Sequence, residues 1–253
     1  MEMLNKVPQV TVFFWIIKVL ATTVGETFAD FLSTKLGLGL VLTSYVMAGL
    51  FLVALIVQLA RKRYVPSIYW TVVVLISVVG TLVSDNLHDR LGVPLQTTSI
   101  LFAAILAIVF AVWWFSERTL SVHAITTTKR ELFYWAAILF TFALGTSAGD
   151  YLSEATGFGY PTALLVFAGL IALTALAYYV FRINGVLAFW IAYVLTRPLG
   201  ASSGDLLSQP VANGGFGFGT TVTSVAFLVA IIGLVVYLTN HPEAEAAPER
   251  LAA

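Results

Sequence analysis

Cysteine is absent from the 253-residue chain, which excludes a disulfide framework, a thiolate metal site and thiol catalysis. Charge is scarce too. Asp, Glu, Lys and Arg make up 10% of the residues, the 13 basic and 13 acidic side chains cancel, and no basic run exceeds Arg61-Lys62-Arg63. Such a chain lacks the phosphate-neutralising surface that nucleic-acid binding needs. Of the three histidines, His123 and His241 fall in a loop and the tail and only His88 falls in an apolar segment, so no intramembrane pair is present to hold haem. No nucleotide motif is found either. The one glycine-rich run, residues 213–219, lacks the Lys and Ser/Thr of a phosphate loop and reads as a turn opening the last helix.

What the chain has in excess is apolar surface: 59% hydrophobic residues and a mean hydropathy of +0.94, against roughly 45–50% apolar in soluble domains. Runs of about 18–25 apolar residues match a ~30 Å hydrocarbon core. Eight are found, at about 12–34, 39–60, 68–88, 95–116, 132–154, 160–181, 186–208 and 219–239. The expected fold is an all-α polytopic membrane protein. The first run carries Glu26 and Asp30 and matches three later segments, so it reads as a retained helix and not a cleaved signal. Lys6, Arg61, Lys62, Arg63, Arg118, Lys129, Arg130, Arg182 and Arg250 fall on the side of the termini, whereas Lys35 and Arg90 fall on the other. That bias predicts both termini in the cytoplasm.

Every odd-numbered run repeats one pattern: Trp, nine residues, Gly, four residues, Asp. The copies are Trp15/Gly25/Asp30, Trp70/Gly80/Asp85, Trp135/Gly145/Asp150 and Trp190/Gly200/Asp205, with tryptophans 55, 65 and 55 residues apart. Two pairs offset by 120 residues make a duplication of a duplication, with halves at 1–120 and 121–240 and a tail, 241–253, that reads as disordered. Each copy reads as one helical hairpin. All four enter the membrane in the same sense, so the repeats are parallel and not inverted. The tryptophans read as interfacial anchors.

An intramembrane carboxylate costs at least ~2.5–3.5 kcal/mol and normally faces a protein interior or a water-filled cavity. Asp30, Asp85, Asp150 and Asp205 occupy matching depths about 22 Å beyond their tryptophans, and parallel repeats predict that they converge on a ring. Glu26, one turn before Asp30, joins that face. Clustered carboxylates attract a proton or a cation. With no soft ligand in the chain, the hydroxyls of Thr22, Thr23, Thr27, Ser33, Ser84, Thr146, Ser147, Ser153, Ser202, Ser203 and Ser208 are candidate supporting donors. Hard oxygen ligands favour Mg, Ca or Mn, and His88 adds one imidazole that tilts the choice slightly towards Mn or another transition metal. Lys18 and Arg197 read as ion-pair partners of Glu26 and a neighbouring Asp, with a cationic gate as the functional alternative. A structural reading stands beside all this, in which each Asp is an interhelical hydrogen-bond partner or a helix end cap.

On the Trp/Gly/Asp copies quoted above, the chain resembles, over about residues 10–240, a family of bacterial integral membrane proteins built of four tandem two-helix repeats with a marked tryptophan. The family is described as membrane-anchored proteins of unknown function, so the resemblance implies a fold and no activity. The fourth copy departs after Asp205, where Gln209-Pro210 and extra glycines lengthen the turn. The expected function is secondary transport or export of small inorganic cations, divalent and proton-coupled, by a non-enzyme. The alternatives are an intramembrane aspartyl hydrolase, from the Gly149-Asp150 and Gly204-Asp205 pairs, and a metal sensor or assembly factor. The sequence leaves ion identity, direction of movement and oligomeric state open.

Overall fold

The computed structural model describes residues 5–245. Its eight long helices are α1 (Val12–Asp30), α2 (Gly39–Ala60), α3 (Pro66–Asp85), α4 (Leu95–Glu117), α5 (Thr128–Asp150), α6 (Gly159–Tyr179), α7 (Gly185–Ser208) and α8 (Gly219–Asn240), and no strand occurs among the described residues. All eight are long and apolar enough to cross a membrane. The chain is a multi-pass membrane protein.

The helices form two concentric layers. α1, α3, α5 and α7 pack side by side in that order and close into a ring, α7 returning to α1. They carry the polar residues and are buried over most of their length, while α2, α4, α6 and α8 are mostly exposed. The outer helices show large apolar side chains such as Leu52, Ile56, Leu165 and Val229, the surface expected against lipid. The inner helices of the first half, α1 and α3, and of the second half, α5 and α7, are therefore two arcs of one ring.

Each outer helix packs on the inner helix of the following copy: α2 on α3, α4 on α5, α6 on α7, and α8 back on α1. Each repeat is one helical hairpin, as its sequence predicts, and the sharp turn after its inner helix lays the outer helix against the neighbouring copy. Those turns need glycine. Gly37, Gly39, Gly157, Gly159, Gly217 and Gly219 all have φ between 71° and 79°, a region that side-chain-bearing residues avoid.

The repeated inner glycine has a packing role of a different kind. A Cβ at Gly25 would strike Ser77, at Gly80 Phe142, at Gly145 Arg197, and at Gly200 Thr22. Those four partners stand eight residues before Asp85, Asp150, Asp205 and Asp30, respectively. Each copy's glycine is thus a notch for the same position of the next copy, and the fourth notch takes the first copy's Thr22. Small residues that let helix backbones approach are the usual basis of association in a bilayer. Here they set the ring's register.

The interfacial reading of the tryptophans does not hold. Trp70, Trp135 and Trp190 are buried in the core, and Trp15 is half-buried against Phe14 and Phe189. Together with Phe14, Tyr69, Tyr134, Phe189 and Tyr193 they make an aromatic plug at the end of the ring that carries the termini. These rings pack on one another and on neighbouring helices, so the aromatic girdle has core partners in place of headgroups.

Beyond the plug lies the N-terminal segment. Lys6 Nζ, fully buried, donates to Glu131 Oε2 at 2.5 Å and to the Leu59 carbonyl at 3.0 Å, while Gln58 Nε2 donates to Glu131 Oε1 at 3.0 Å. Pro242–Glu245 form a 3-10 turn, and the rest of the tail expected to be disordered lies outside the described residues.

The notch packing leads to a direct expectation. Gly80→Ala drives a methyl into Phe142 and should destabilise the protein by about 1–3 kcal/mol, the usual range for overpacking. Gly49→Ala, on α2 with no atom within 4 Å of the added Cβ, should be neutral or slightly stabilising. Thermal unfolding of the two variants in detergent checks this, and equal melting temperatures would remove the notches from the account.

Candidate acid-lined cation site

Asp30, Asp85 and Asp150 are the last α-helical residues of α1, α3 and α5. After each of them the helix widens into one π turn, residues Phe31–Lys35, Asn86–Arg90 and Tyr151–Ala155. The widening is visible in its terminal bonds, where Leu36 N donates to Phe31 O, Leu91 N to Asn86 O and Thr156 N to Tyr151 O at 2.8–3.1 Å, five residues back. The fourth copy stays α-helical through Asp205 to Ser208, with Gln209 N bonded four residues back to Asp205 O. That is the departure the sequence shows at Gln209-Pro210. Single π turns of this kind often sit at functional sites.

At this level the four copies meet. Asp30, Asp85, Asp150, Asp205 and Glu26 line one cavity of about 180 Å³, together with His88, Asp89, Glu154 and Gln209, room for about six waters at ~30 Å³ each. One ligand oxygen each from Glu26, Asp150 and Asp205 fall within 4.8 Å of one another. Charges at that separation repel by roughly 3 kcal/mol per pair at an effective dielectric constant of 20. None of the four aspartate carboxylates carries a hydrogen bond or ion pair from a described residue. Asp205 is only 5% exposed.

Asp89 and Glu154 were not singled out from the sequence. They stand four residues after Asp85 and Asp150, where the other copies have Thr34 and Gln209. An alignment of the copies carried one turn past the aspartate holds this signal. Glu154 Oε1 accepts from Tyr160 OH at 3.0 Å. His88 Nδ1 lies 2.9 Å from the Val93 carbonyl, which accepts its proton and leaves Nε2, 3.9 Å from Asp89 Oδ1, as the ring's other face.

The hydroxyls that the sequence offers as supporting donors do not line the cavity wall. Most bond back to their own helices: Thr23 to Val19 O, Thr146 to Phe142 O, Ser147 to Ala143 O, Ser153 to Gly149 O and Ser203 to Leu199 O. A hydroxyl on a buried helix finds the carbonyl one turn back before it finds a ligand. The donors on the wall are carboxylates, one imidazole and one amide.

Beneath the acids lies Arg197, fully buried. Its Nη2 donates to Glu26 Oε2 at 2.7 Å, to Thr146 Oγ1 at 2.6 Å and to Thr81 Oγ1, and its Nη1 donates to the Thr22 carbonyl at 3.0 Å. One side chain of α7 is thereby tied to α1, α3 and α5. Its aliphatic stem lies in the notch of Gly145, and Pro198 follows it inside the helix.

Lys18 does not join this pair. Its ammonium lies 4.1 Å from the ring centre of Phe142 and 4.2 Å from that of Tyr193, without a hydrogen-bond partner. The reading of Lys18 as a partner of Glu26 is corrected accordingly, since Arg197 occupies that carboxylate and the ammonium is held by two aromatic faces instead. Arg197 is the ion-pair partner the sequence suggested. Both cations sit on the floor side of the acids, with the aromatic plug below them.

A family model described as a repeat of unknown function (DUF347) matches the chain four times, over residues 13–64, 68–119, 133–184 and 188–240. Each match takes in one inner helix and the outer helix that follows it. No curated protein and no solved structure matches the chain.

Breaking a buried pair leaves a charge without its partner and typically costs 3–5 kcal/mol. Arg197→Met should therefore destabilise the protein by about that amount, and adding Glu26→Gln should recover much of the loss. A double-mutant cycle on thermal or denaturant unfolding measures it. Additive losses would mean that Arg197 supports the ring without regard to Glu26.

Proposed function

Because the chain belongs to the DUF347 family, which is defined by its repeat and not by an activity, we propose its function from the site: secondary transport of small inorganic cations, with divalent ions such as Mn, Mg or Ca as substrate. The observation that carries this reading is the convergence of seven carboxylates on one cavity while a single guanidinium neutralises only one of them. An arrangement so short of positive charge is relieved by a metal ion or by protons. Seven carboxylates, a histidine and a glutamine amide form a mainly hard-oxygen donor set with one borderline nitrogen, which suits Mn among the divalent ions.

Transport draws support from the asymmetry along the ring axis. The acids open at one end; the other is filled by Arg197, Lys18, the aromatic plug and the pinned N-terminal segment. One open end and one filled end is what a carrier working by alternating access needs in one of its two states. The Lys and Arg residues on the side of the termini support an orientation with both termini in the cytoplasm of a bacterial inner membrane and the acids facing out. Protons compete for the same oxygens and are the natural counter-ion. An aspartyl hydrolase has less support, because its dyad is one isolated pair of carboxylates that divide acid and base roles.

The number of acids that matter separates these readings. Neutralised singly to Asn, at least three of Asp30, Asp85, Asp150 and Asp205 should weaken Mn binding or flux tenfold or more, with Glu26→Gln adding a fifth. Acidification should mimic the substitutions. Metal flux in proteoliposomes across pH is the measurement. Dependence on one pair alone with no effect of pH would favour the hydrolase, and binding without flux would favour a sensor.

A further inference from the structure

The acid cavity has a neighbour. His88 and Glu154 also line a recess of about 360 Å³ whose other walls are Pro94, Leu95 and Ala155. Two side chains therefore face both spaces, one rich in carboxylate and the other walled by proline, leucine and alanine. The recess lies between the start of α4 and the π turn after α5, on the side of the ring.

The seam between the second and third copies differs from the first. Between copies one and two, Asn86 Nδ2 donates to Ser44 Oγ at 2.8 Å and ties α2 to the turn beside it. The corresponding residues one copy later are Tyr151 and Ser99, and Ser99 Oγ is buried without a hydrogen-bond partner. At the third seam the residue matching Leu95 is Tyr160, whose hydroxyl reaches Glu154. Leu95 has no polar end with which to make that reach.

An inorganic ion has no use for an apolar annex. Its coordination is completed by oxygens and water, and hydrocarbon walls add nothing. Asp205, almost wholly buried and without a donor, faces the cavity from the opposite side of the ring, so a ligand's charge belongs in the cavity and its apolar part in the recess. On the cation-site reading above, we infer that this protein also binds organic cations, with an ammonium head among the carboxylates and an alkyl substituent in the recess bounded by Pro94, Leu95 and Ala155. The carboxylates hold the head by charge, and desolvation of the alkyl part supplies selectivity.

The test compares Mn ions, tetramethylammonium and hexyltrimethylammonium binding to the full chain in lipid nanodiscs. Wild-type protein should bind the hexyl compound at least tenfold more tightly than the tetramethyl one. Ala155→Trp, which fills the recess from an apolar wall and leaves every carboxylate in the sequence, should lower that ratio at least fivefold and leave the Mn and tetramethylammonium affinities within about threefold of wild type. Pro94→Trp intrudes from the opposite wall and serves if the first variant does not fold. Both variants face the same bilayer as wild type, so partitioning of the hexyl chain into lipid cancels. Equal affinities in wild type, a ratio that persists in the filled variants, or binding of Mn alone overturns the organic-cation inference and leaves the metal reading standing. Absence of binding by all three cations overturns both.

Discussion

Arg197 donates from α7 to a carbonyl and a carboxylate of α1, a hydroxyl of α3 and a hydroxyl of α5, and the remainder of the structure is arranged so that it can. Its stem needs the notch left by Gly145, and its head needs Thr81 and Thr146, which occupy in their copies the position of Glu26 in the first. A fourfold repeat has thus been broken at one layer into a carboxylate, two hydroxyls and, at Ala201, a methyl, one turn above the level from which a single arginine reaches up. In a bilayer such a buried polar hub is expensive to leave incomplete and fixes the helix register by that expense. The glycine notches permit the ring, and the guanidinium ties it together.

The same residue decides what the acids can do. It satisfies Glu26 and closes the floor of the cavity, so the four repeat aspartates line that cavity without a donor among the described residues. Below it, the Lys18 side chain lies between the rings of Phe142 and Tyr193. On the transport reading, a cation held by the carboxylates meets the Arg197 guanidinium, the Lys18 side chain and an aromatic plug on the side of the termini. Movement of a substrate across the membrane, on that same reading, requires the Arg197 layer to rearrange, with the guanidinium releasing Glu26, Thr81 and Thr146, which it holds together.

Much of this was legible in the chain, for a physical reason. Each copy is an independent reading of the same position, so four aspartates at one spacing announced one depth and one axis, and the apolar runs between them announced the helices. Convergence of Asp30, Asp85, Asp150 and Asp205 followed from parallel entry alone. The burial of Trp70, Trp135 and Trp190 was not legible, because a tryptophan at a helix end looks the same whether lipid headgroups or a second ring of helices lies outside it. Hydroxyl roles were hidden for a similar reason: composition shows that Thr146 or Ser153 has an oxygen, while only the helix shows that its own backbone claims it. Lys18 was misassigned because helix periodicity gives direction without saying which cation reaches Glu26 first. Asp89 and Glu154 could have been found by following the aligned copies one turn further.

The central claim is that the carboxylates at the open end of the ring hold a cation, and anomalous diffraction from crystals soaked in Mn tests it most directly. The account requires one peak inside the acid-lined cavity, within about 2.0–2.6 Å of oxygens from Glu26, Asp150 or Asp205, with Arg197 still in place beneath it. A cavity free of anomalous signal at saturating Mn, with the carboxylates no farther apart than the 4.8 Å that now encloses the Glu26, Asp150 and Asp205 oxygens, would contradict it.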